Sequence, residues 1–304
     1  MNGMQSKHAN GAGKPKEGAP KGPGKQPASG PAPLLWITRL SLDAPVVAVL
    51  WQLLFARAFH VQLARSVTIL LAVVVWLIYV ADRLLDVVKA PAQDAEATRH
   101  TFYRRRMWAF LFPLGAGLVL AAWMSLTKLD AKTFYGGLVI LLAVGVYMLA
   151  VHLVSPRREW LPKELLVGVL FALGTSFPVW VHMSYDFAEL VGPFLLFTVL
   201  CWMNCAAIEY QEWTRLRSRR FGRPHPWTEW MGSQFQSISI GIAALALGFV
   251  LVEVSDIHWR LSAAEVLSAL AFALVRYKED SLSIDQFRVL VDIALFTPLI
   301  FLAL

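Results

Sequence analysis

Nine apolar runs, each about 20 residues long, set the strongest limit on how this chain can fold. An α-helix of that length crosses the hydrocarbon core of a bilayer, and the runs are continuous rather than alternating, which disfavours a transmembrane β-barrel. Only 16% of the 304 residues are charged, against about a quarter in a typical soluble domain. The sequence therefore predicts an all-α transmembrane bundle with nine spans, at residues 36–59, 66–88, 107–126, 133–154, 163–183, 188–213, 231–254, 261–277 and 285–304.

The first 32 residues form a separate region of different composition. They are mostly Gly, Pro, Lys, Ala and Ser, with almost no apolar side chains. Such a segment cannot bury enough apolar surface to fold, and it lacks the apolar core of a signal peptide. We therefore predict a disordered basic tail at residues 1–32 and a transmembrane domain at residues 33–304.

The positions of Lys and Arg predict the orientation of the bundle. Alternate connections are rich in these residues, and the connections between them are poor in them. By the positive-inside rule, the N-terminus lies in the cytoplasm. We expect a multi-pass integral membrane protein, located in a bacterial cytoplasmic membrane. This topology also accounts for the net charge of +7, so nucleic acid is not expected as a partner. The basic connections are the tail, residues 89–106, 157–163, 215–223 and 276–278.

The second run ends in an acidic turn. Asp82 and Asp86 are four residues apart and so share one helix face, and Tyr79 lies one turn earlier on that face. Ionisable side chains at membrane depth are costly, which makes a functional site the first hypothesis. The alternative is an interfacial pair that reaches water or binds Arg83 and Lys89.

A second acidic turn ends the sixth run, on the same predicted membrane face. Glu209 and Glu212 are three residues apart, within about 60° around the helix, and Asn204 lies deeper in the run. The alternative is a solvated helix end in which Glu212 pairs with a following arginine. Cys201 and Cys205, in the same run, are interpreted as small packing residues.

The two acidic turns, each followed by an arginine-rich connection, suit a diphosphate bridged by Mg²⁺. Mg²⁺ prefers oxygen ligands and is often held by one or two carboxylates together with substrate phosphates. Arg and Lys neutralise the remaining phosphate charge, and the apolar helices can hold a hydrocarbon chain.

The ninth run opens with a further polar stripe. Asp285, Arg288 and Asp292 are spaced by three and four residues, so Arg288 can pair with either carboxylate as a structural ion pair. Asp292 lies about two turns into the run, which favours a contribution to an internal polar cavity. Asp43, His152 and His182 are weaker candidates, each interpreted first as a helix-end or hydrogen-bonded residue.

These motifs, taken together, resemble those of the UbiA superfamily of intramembrane prenyltransferases. Members have nine transmembrane helices and two Asp-rich motifs, broadly N-D-x-x-D-x-x-x-D and D-x-x-D-x-x-x-D, at the cytoplasmic ends of helices two and six. Asp82 and Asp86 match the last two positions of the first motif, while Ile78 and Tyr79 stand where Asn and Asp are usual. Glu209 and Glu212 match the first two acidic positions of the second motif, and Leu216 stands at its third.

The resemblance implies a Mg²⁺-dependent transfer of a prenyl group from a prenyl diphosphate to a lipophilic acceptor. Asp82 and Asp86 would bind Mg²⁺ and diphosphate, and Glu209, Glu212 and Asn204 would bind a second metal ion or orient the first. Arg105, in the Arg104–Arg106 run, and Lys163 would contact phosphate oxygens. Arg288 and Asp292 would bind substrate, and Tyr79 would shield the allylic cation.

Three alternatives stay open from the sequence. A relative of this family could catalyse a terpene-cyclase-like reaction or none at all. A transporter could use Asp43, Asp82, Asp292 and Arg288 as an ion or proton path, although no internal repeat is evident. A lipid-binding partner of another enzyme could use the basic tail as a membrane anchor.

Overall fold

The computed structural model describes residues 40–89, 107–154, 162–184, 187–216, 223–252 and 258–304. These residues are almost entirely helical, and no strand occurs among them. The predicted tail at residues 1–32 and the Arg104–Arg106 run fall outside the described residues. The helices are α1 Asp43–Ala58, α2 Arg65–Lys89, α3 Met107–Lys128, α4 Ala131–Leu149, α5 Lys163–His182, α6 Phe187–Leu216, α7 Pro226–Ser233, α8 Phe235–Val252, α9 Trp259–Tyr277, α10 Ile284–Ile293 and α11 Pro298–Ala303.

Seven helical segments within the described ranges are long and apolar enough to cross a membrane. They correspond to α2, α3, α4, α5, α6, α8 and the combined α10–α11 segment. The predicted first and eighth spans coincide with α1 and α9, but neither is among the seven, since α1 has only 16 residues and α9 carries Arg260, Glu265 and Arg276. This architecture fits a multi-pass integral membrane protein, while the count of nine spans and the orientation stay predictions.

Two of the predicted runs are interrupted in the structure. The run at 285–304 divides into α10 and α11, because Pro298 at the start of α11 has no backbone N–H with which to continue α10. The run at 231–254 begins inside α7, and the chain turns at Gln234 before α8 starts at Phe235. The number of apolar residues in a run of about 20 does not predict either turn.

Aromatic side chains from α1 and α6 form the centre of the bundle. The Trp51 and Phe197 rings stack with centroids 4.4 Å apart, and Phe55 meets Phe197 edge-on at 5.6 Å. All three side chains are fully buried. Burial of three such rings anchors α1 against α6, because each ring removes a large apolar area from solvent or lipid contact.

The helix α4 lies at the edge of the bundle. It packs mainly against α5, and Thr133 is its one buried residue. Many of its apolar side chains are exposed, as expected of a lipid-facing helix. A π-helical turn, Ala150–Val154, extends α4 and carries His152.

Candidate functional site

A cavity of about 250 Å³ lies at one end of the bundle. Its walls come from the first turns of α1 and α5, the second halves of α2 and α6, the last turn of α4, and α10 together with Leu295, which follows it. Because these helices begin and end alternately at this level, charged residues from distant parts of the sequence meet there. Its charged and tyrosine lining residues are Asp43, Tyr79, Asp82, Arg83, Tyr147, Lys163, Glu164, Glu209, Arg288 and Asp292.

Most of the residues predicted from the sequence meet at this cavity. Those lining it are Tyr79, Asp82, Lys163, Asn204, Glu209, Arg288 and Asp292. Glu212 is not among the lining residues. The side chain of Asp86 and the whole of Arg105 lie outside the described part of the structure. The cavity therefore unites the predicted residues of α2, α5, α6 and α10.

Asp82 is held by a histidine from the π-helical turn that follows α4. His152 Nε2 lies 3.1 Å from Asp82 Oδ1, and the His152 side chain is only 6% exposed. The interpretation of His152 as a hydrogen-bonded residue is therefore confirmed. Its partner is a predicted site residue, so the π-helical turn after α4 positions the carboxylate on α2.

The carboxylates of α6 and α10 have partners across the interface of these helices. The Asn204 side-chain amide donates to Asp292 Oδ1 at 3.1 Å. Arg288 Nε donates to Glu212 Oε1 at 2.9 Å, and Arg288 Nη1 is 3.5 Å from Asp285. Arg288 therefore pairs with Asp285, as the spacing allowed, and with Glu212, which the sequence did not indicate. This arrangement fixes the Arg288 guanidinium at the cavity wall.

Two buried polar atoms at the cavity make no hydrogen bond with any of the residues that the structure describes. They are Asp43 Oδ1 and Arg83 Nε. The Arg83 guanidinium also lies 5.9 Å from the centre of the Tyr79 ring. A buried acceptor and a buried donor without hydrogen bonds reduce the stability of a protein, because each has lost its hydration, unless a ligand or water binds them. They are the features that point most directly to a polar ligand.

The opening turn of α5 contributes a basic and an acidic group. Lys163 and Glu164 both line the cavity, and Glu164 is buried. Thr228 Oγ1, on α7, donates a hydrogen bond of 2.7 Å to Glu164 Oε2. The short helix α7 therefore positions one of the cavity carboxylates.

Sequence reasoning assigned no site role to several of these residues. Glu164, Arg83 and Cys205 line the cavity, and Asp43, ranked as weaker, lines it too. Each is a charged or small polar residue within or beside an apolar run, and this position alone could have identified it as a candidate site residue. What the sequence could not supply was which helices are neighbours.

Oxygen ligands of the type that binds Mg²⁺ line the cavity. Asp43, Asp82, Glu209 and Asp292 offer the oxygen atoms that Mg²⁺ prefers. In the described part of the chain, no three His, Cys, Asp or Glu side chains lie close enough to hold a metal ion by themselves.

A separate polar cluster lies at the other end of α4 and α5. Asp130 caps α4, accepting hydrogen bonds from Thr133 N at 3.0 Å and Thr133 Oγ1 at 2.6 Å. His182, at the end of α5, lies 2.9 Å from Thr133 Oγ1 and 3.2 Å from Asp130 Oδ2. The hydrogen bonds from Thr133, with His182 nearby, lower the pKa of Asp130 to about 2. This cluster fastens α4 to α5 far from the cavity.

No protein-family model, no curated protein and no solved structure matches this chain.

Proposed function

We propose that this protein is a membrane-embedded prenyltransferase of the UbiA type, with its cavity facing the cytoplasm. The reaction is the Mg²⁺-dependent transfer of a prenyl group from a prenyl diphosphate to a lipophilic acceptor. The observation that carries the proposal is the cavity itself, where carboxylates and cationic side chains from five helices meet beside an apolar wall. A charged head group and a hydrocarbon chain would each find complementary surroundings there.

The basic side chains at the cavity would bind the diphosphate. Lys163, Arg83 and Arg288 supply positive charge and N–H donors, and Arg83 Nε makes no hydrogen bond with the described part of the chain. Such groups stabilise the negative charge that develops on a departing diphosphate. Mg²⁺, when bound, would neutralise further phosphate charge, held by Asp82 and Asp86 with Glu209, Asp43 or Asp292 nearby.

The bond changes in this reaction are those of an ionising substitution. The C–O bond to the diphosphate breaks, and its electron pair leaves with the diphosphate. The acceptor forms a new bond to the allylic carbon and loses a proton. Tyr79 and Phe171 at the cavity wall would shield the allylic cation, because aromatic faces attract positive charge.

The test is diphosphate release by the purified protein in lipid nanodiscs. Farnesyl or geranylgeranyl diphosphate is supplied with Mg²⁺ and an extract of membrane quinones and phenols as acceptors. We expect release in the native protein, and at least about a tenfold loss in Asp82→Asn and Lys163→Met, because each removes a charge at the head group. The matched control is Asp280→Asn, an exposed carboxylate outside the cavity.

Binding is measured separately from turnover. A non-hydrolysable prenyl diphosphate analogue should raise the unfolding temperature of the native protein in the presence of Mg²⁺. This shift should shrink in Lys163→Met and persist in Asp280→Asn. The absence of both diphosphate release and a thermal shift would exclude the prenyltransferase proposal.

The interrupted last span favours a second candidate, an ion- or proton-coupled transporter. Discontinuous membrane helices often mark ion sites in transporters, and α10 and α11 are separated by the turn at residues 294–297. In that case ligand binding would follow pH or Na⁺ and would be indifferent to Mg²⁺. The same thermal-shift titration therefore separates the two candidates.

A further inference from the structure

The short helix α7 has two different exposed flanks. It joins the end of α6 to the start of α8, two of the membrane-spanning segments, and therefore lies at the membrane boundary. Its inner side carries Thr228 and Met231, both fully buried. Its outer surface divides between tryptophan and charged side chains.

The tryptophan flank consists of Trp227 and Trp230. These residues are three apart, about 60° from one another around the helix, and each is 54% exposed. The opposite flank carries Glu229, whose carboxylate binds Arg223 through two hydrogen bonds of 2.7 and 2.9 Å. The Arg223 guanidinium lowers the pKa of Glu229, which keeps this flank charged and hydrated.

The inner side of α7 is fixed rigidly to the bundle. Gly232 lies flat against the Tyr210 ring of α6, where an added Cβ would come within 2.2 Å of Tyr210 Cγ. His225 Nδ1 accepts a hydrogen bond of 3.2 Å from Trp227 N and so caps the helix. Thr228 reaches the cavity carboxylate Glu164 at 2.7 Å. A displacement of α7 would therefore change the position of the Glu164 carboxylate at the cavity.

We propose that α7 is an interfacial membrane anchor, in which Trp227 and Trp230 bind the head-group boundary of the bilayer and Thr228 thereby positions Glu164. Tryptophan prefers this boundary because its ring is apolar and its N–H is polar. The helix α8 begins two residues after α7 ends and carries exposed apolar side chains, which include Ile240 and Leu245, so α7 directly precedes a segment suited to lipid contact. The partner is therefore lipid, and the proposal does not depend on prenyl transfer.

The location is tested by spin labels at single cysteines in nanodiscs of phosphatidylcholine and phosphatidylglycerol. The background is Cys201→Ala/Cys205→Ala, and the labelled sites are Trp227→Cys, Trp230→Cys and Ser233→Cys. We expect labels at 227 and 230 to collide more with oxygen, which concentrates in lipid, and the label at 233 more with an aqueous nickel chelate. Equal access to the chelate at all three sites would refute the anchor. Shielding of 227 and 230 from both reagents would indicate a protein partner and would also refute it.

The link to Glu164 is tested through Cys205, which lines the cavity. In a Cys201→Ala background, a small maleimide reports the access of Cys205 without any need for activity. We expect Thr228→Val to raise the labelling rate at least threefold, and Thr228→Ser, which keeps the hydroxyl, to leave it near native. Trp227→Ser/Trp230→Ser should also raise it. Equal rates in Thr228→Val and Thr228→Ser would refute the positioning role, whatever the outcome of the diphosphate assay.

Discussion

At the scale of single residues, Gly168 sets the distance between α5 and α6. A Cβ built on Gly168 would lie 2.7 Å from Trp202 N and 2.9 Å from Trp202 Cα. Both atoms belong to the backbone of α6 and cannot turn aside as a side chain could. Small residues at such crossings let membrane helices approach closely.

We therefore expect Gly168→Ala to destabilise the protein by about 1–3 kcal/mol, the usual cost of overpacking a closely packed contact. Thermal unfolding in nanodiscs provides the measurement. Gly174→Ala is the matched control on the same helix, because nothing lies within 4 Å of its added Cβ. A Gly168→Ala protein as stable as Gly174→Ala would mean that α5 and α6 are not packed this closely.

Single residues also show how far the sequence could predict the site. Asp82 and Glu209 stood out because a carboxylate inside an apolar run is rare. The partners of His152, a weaker candidate, and of Thr228 could not be predicted, because they are Asp82 and Glu164, which are 70 and 64 residues away. Patterns of spacing report neighbours along one helix and carry no information about contacts at such a separation.

At the scale of elements, the apolar runs located the helices well. The predicted runs at 66–88 and 163–183 agree with α2 and α5 within a few residues, because helix length follows bilayer thickness. The turns around Gln234 and at residues 294–297 were missed for different reasons. Residues 294–297 remain largely apolar, whereas the polar residues around Gln234 are too few to change the apolar character of a run of about 20 residues. The helix α7 was missed for the opposite reason, since eight mixed residues give no membrane-length signal.

The cap of α4 gives a prediction at this scale. Asp130→Ala should lower the stability of the protein by about 1 kcal/mol, the usual value of an N-cap, because Thr133 N loses its acceptor.

Asp130→Asn keeps an acceptor and removes the charge. The pKa of Asp130 is about 2 in the folded protein, below the ordinary value near 3.9. The charge therefore contributes stability that is full above about pH 5 and is lost as the pH falls toward about 2.

The measurement is the difference in unfolding temperature between the native protein and Asp130→Asn, followed from about pH 7 to about pH 3. This difference should be constant near neutral pH and should shrink as the pH falls below about 4. Asp280→Asn, at an exposed carboxylate, is the control. A difference that grew with acidification would contradict the assigned sign.

At the scale of the whole molecule, the first helix is joined to the last two described. Trp51 Nε1 donates to Leu295 O at 2.9 Å, beside the turn between α10 and α11. Arg57 Nη1 donates to Phe301 O at 3.2 Å and Leu302 O at 3.1 Å. These contacts use backbone oxygens that the interruption of the last span and the end of α11 leave available.

We expect Trp51→Phe to destabilise the protein by about 1–3 kcal/mol, because it removes the donor to a buried carbonyl while keeping an aromatic ring in the core. Trp123→Phe, at a side chain that is 53% exposed on α3, should be nearly neutral. Thermal unfolding of the two variants makes the comparison. Equal effects would show that the contact with Leu295 contributes nothing to closing the bundle.

The partners in these contacts are 244 and 245 residues apart in the sequence. During synthesis, α1 reaches the membrane long before the ribosome has produced the segment that accepts its hydrogen bonds. The side-chain donors of Trp51 and Arg57 therefore lack these acceptors, either in lipid or in contact with another protein, while most of the chain is inserted. A membrane insertase or chaperone that shelters α1 during this interval would govern the yield of folded protein.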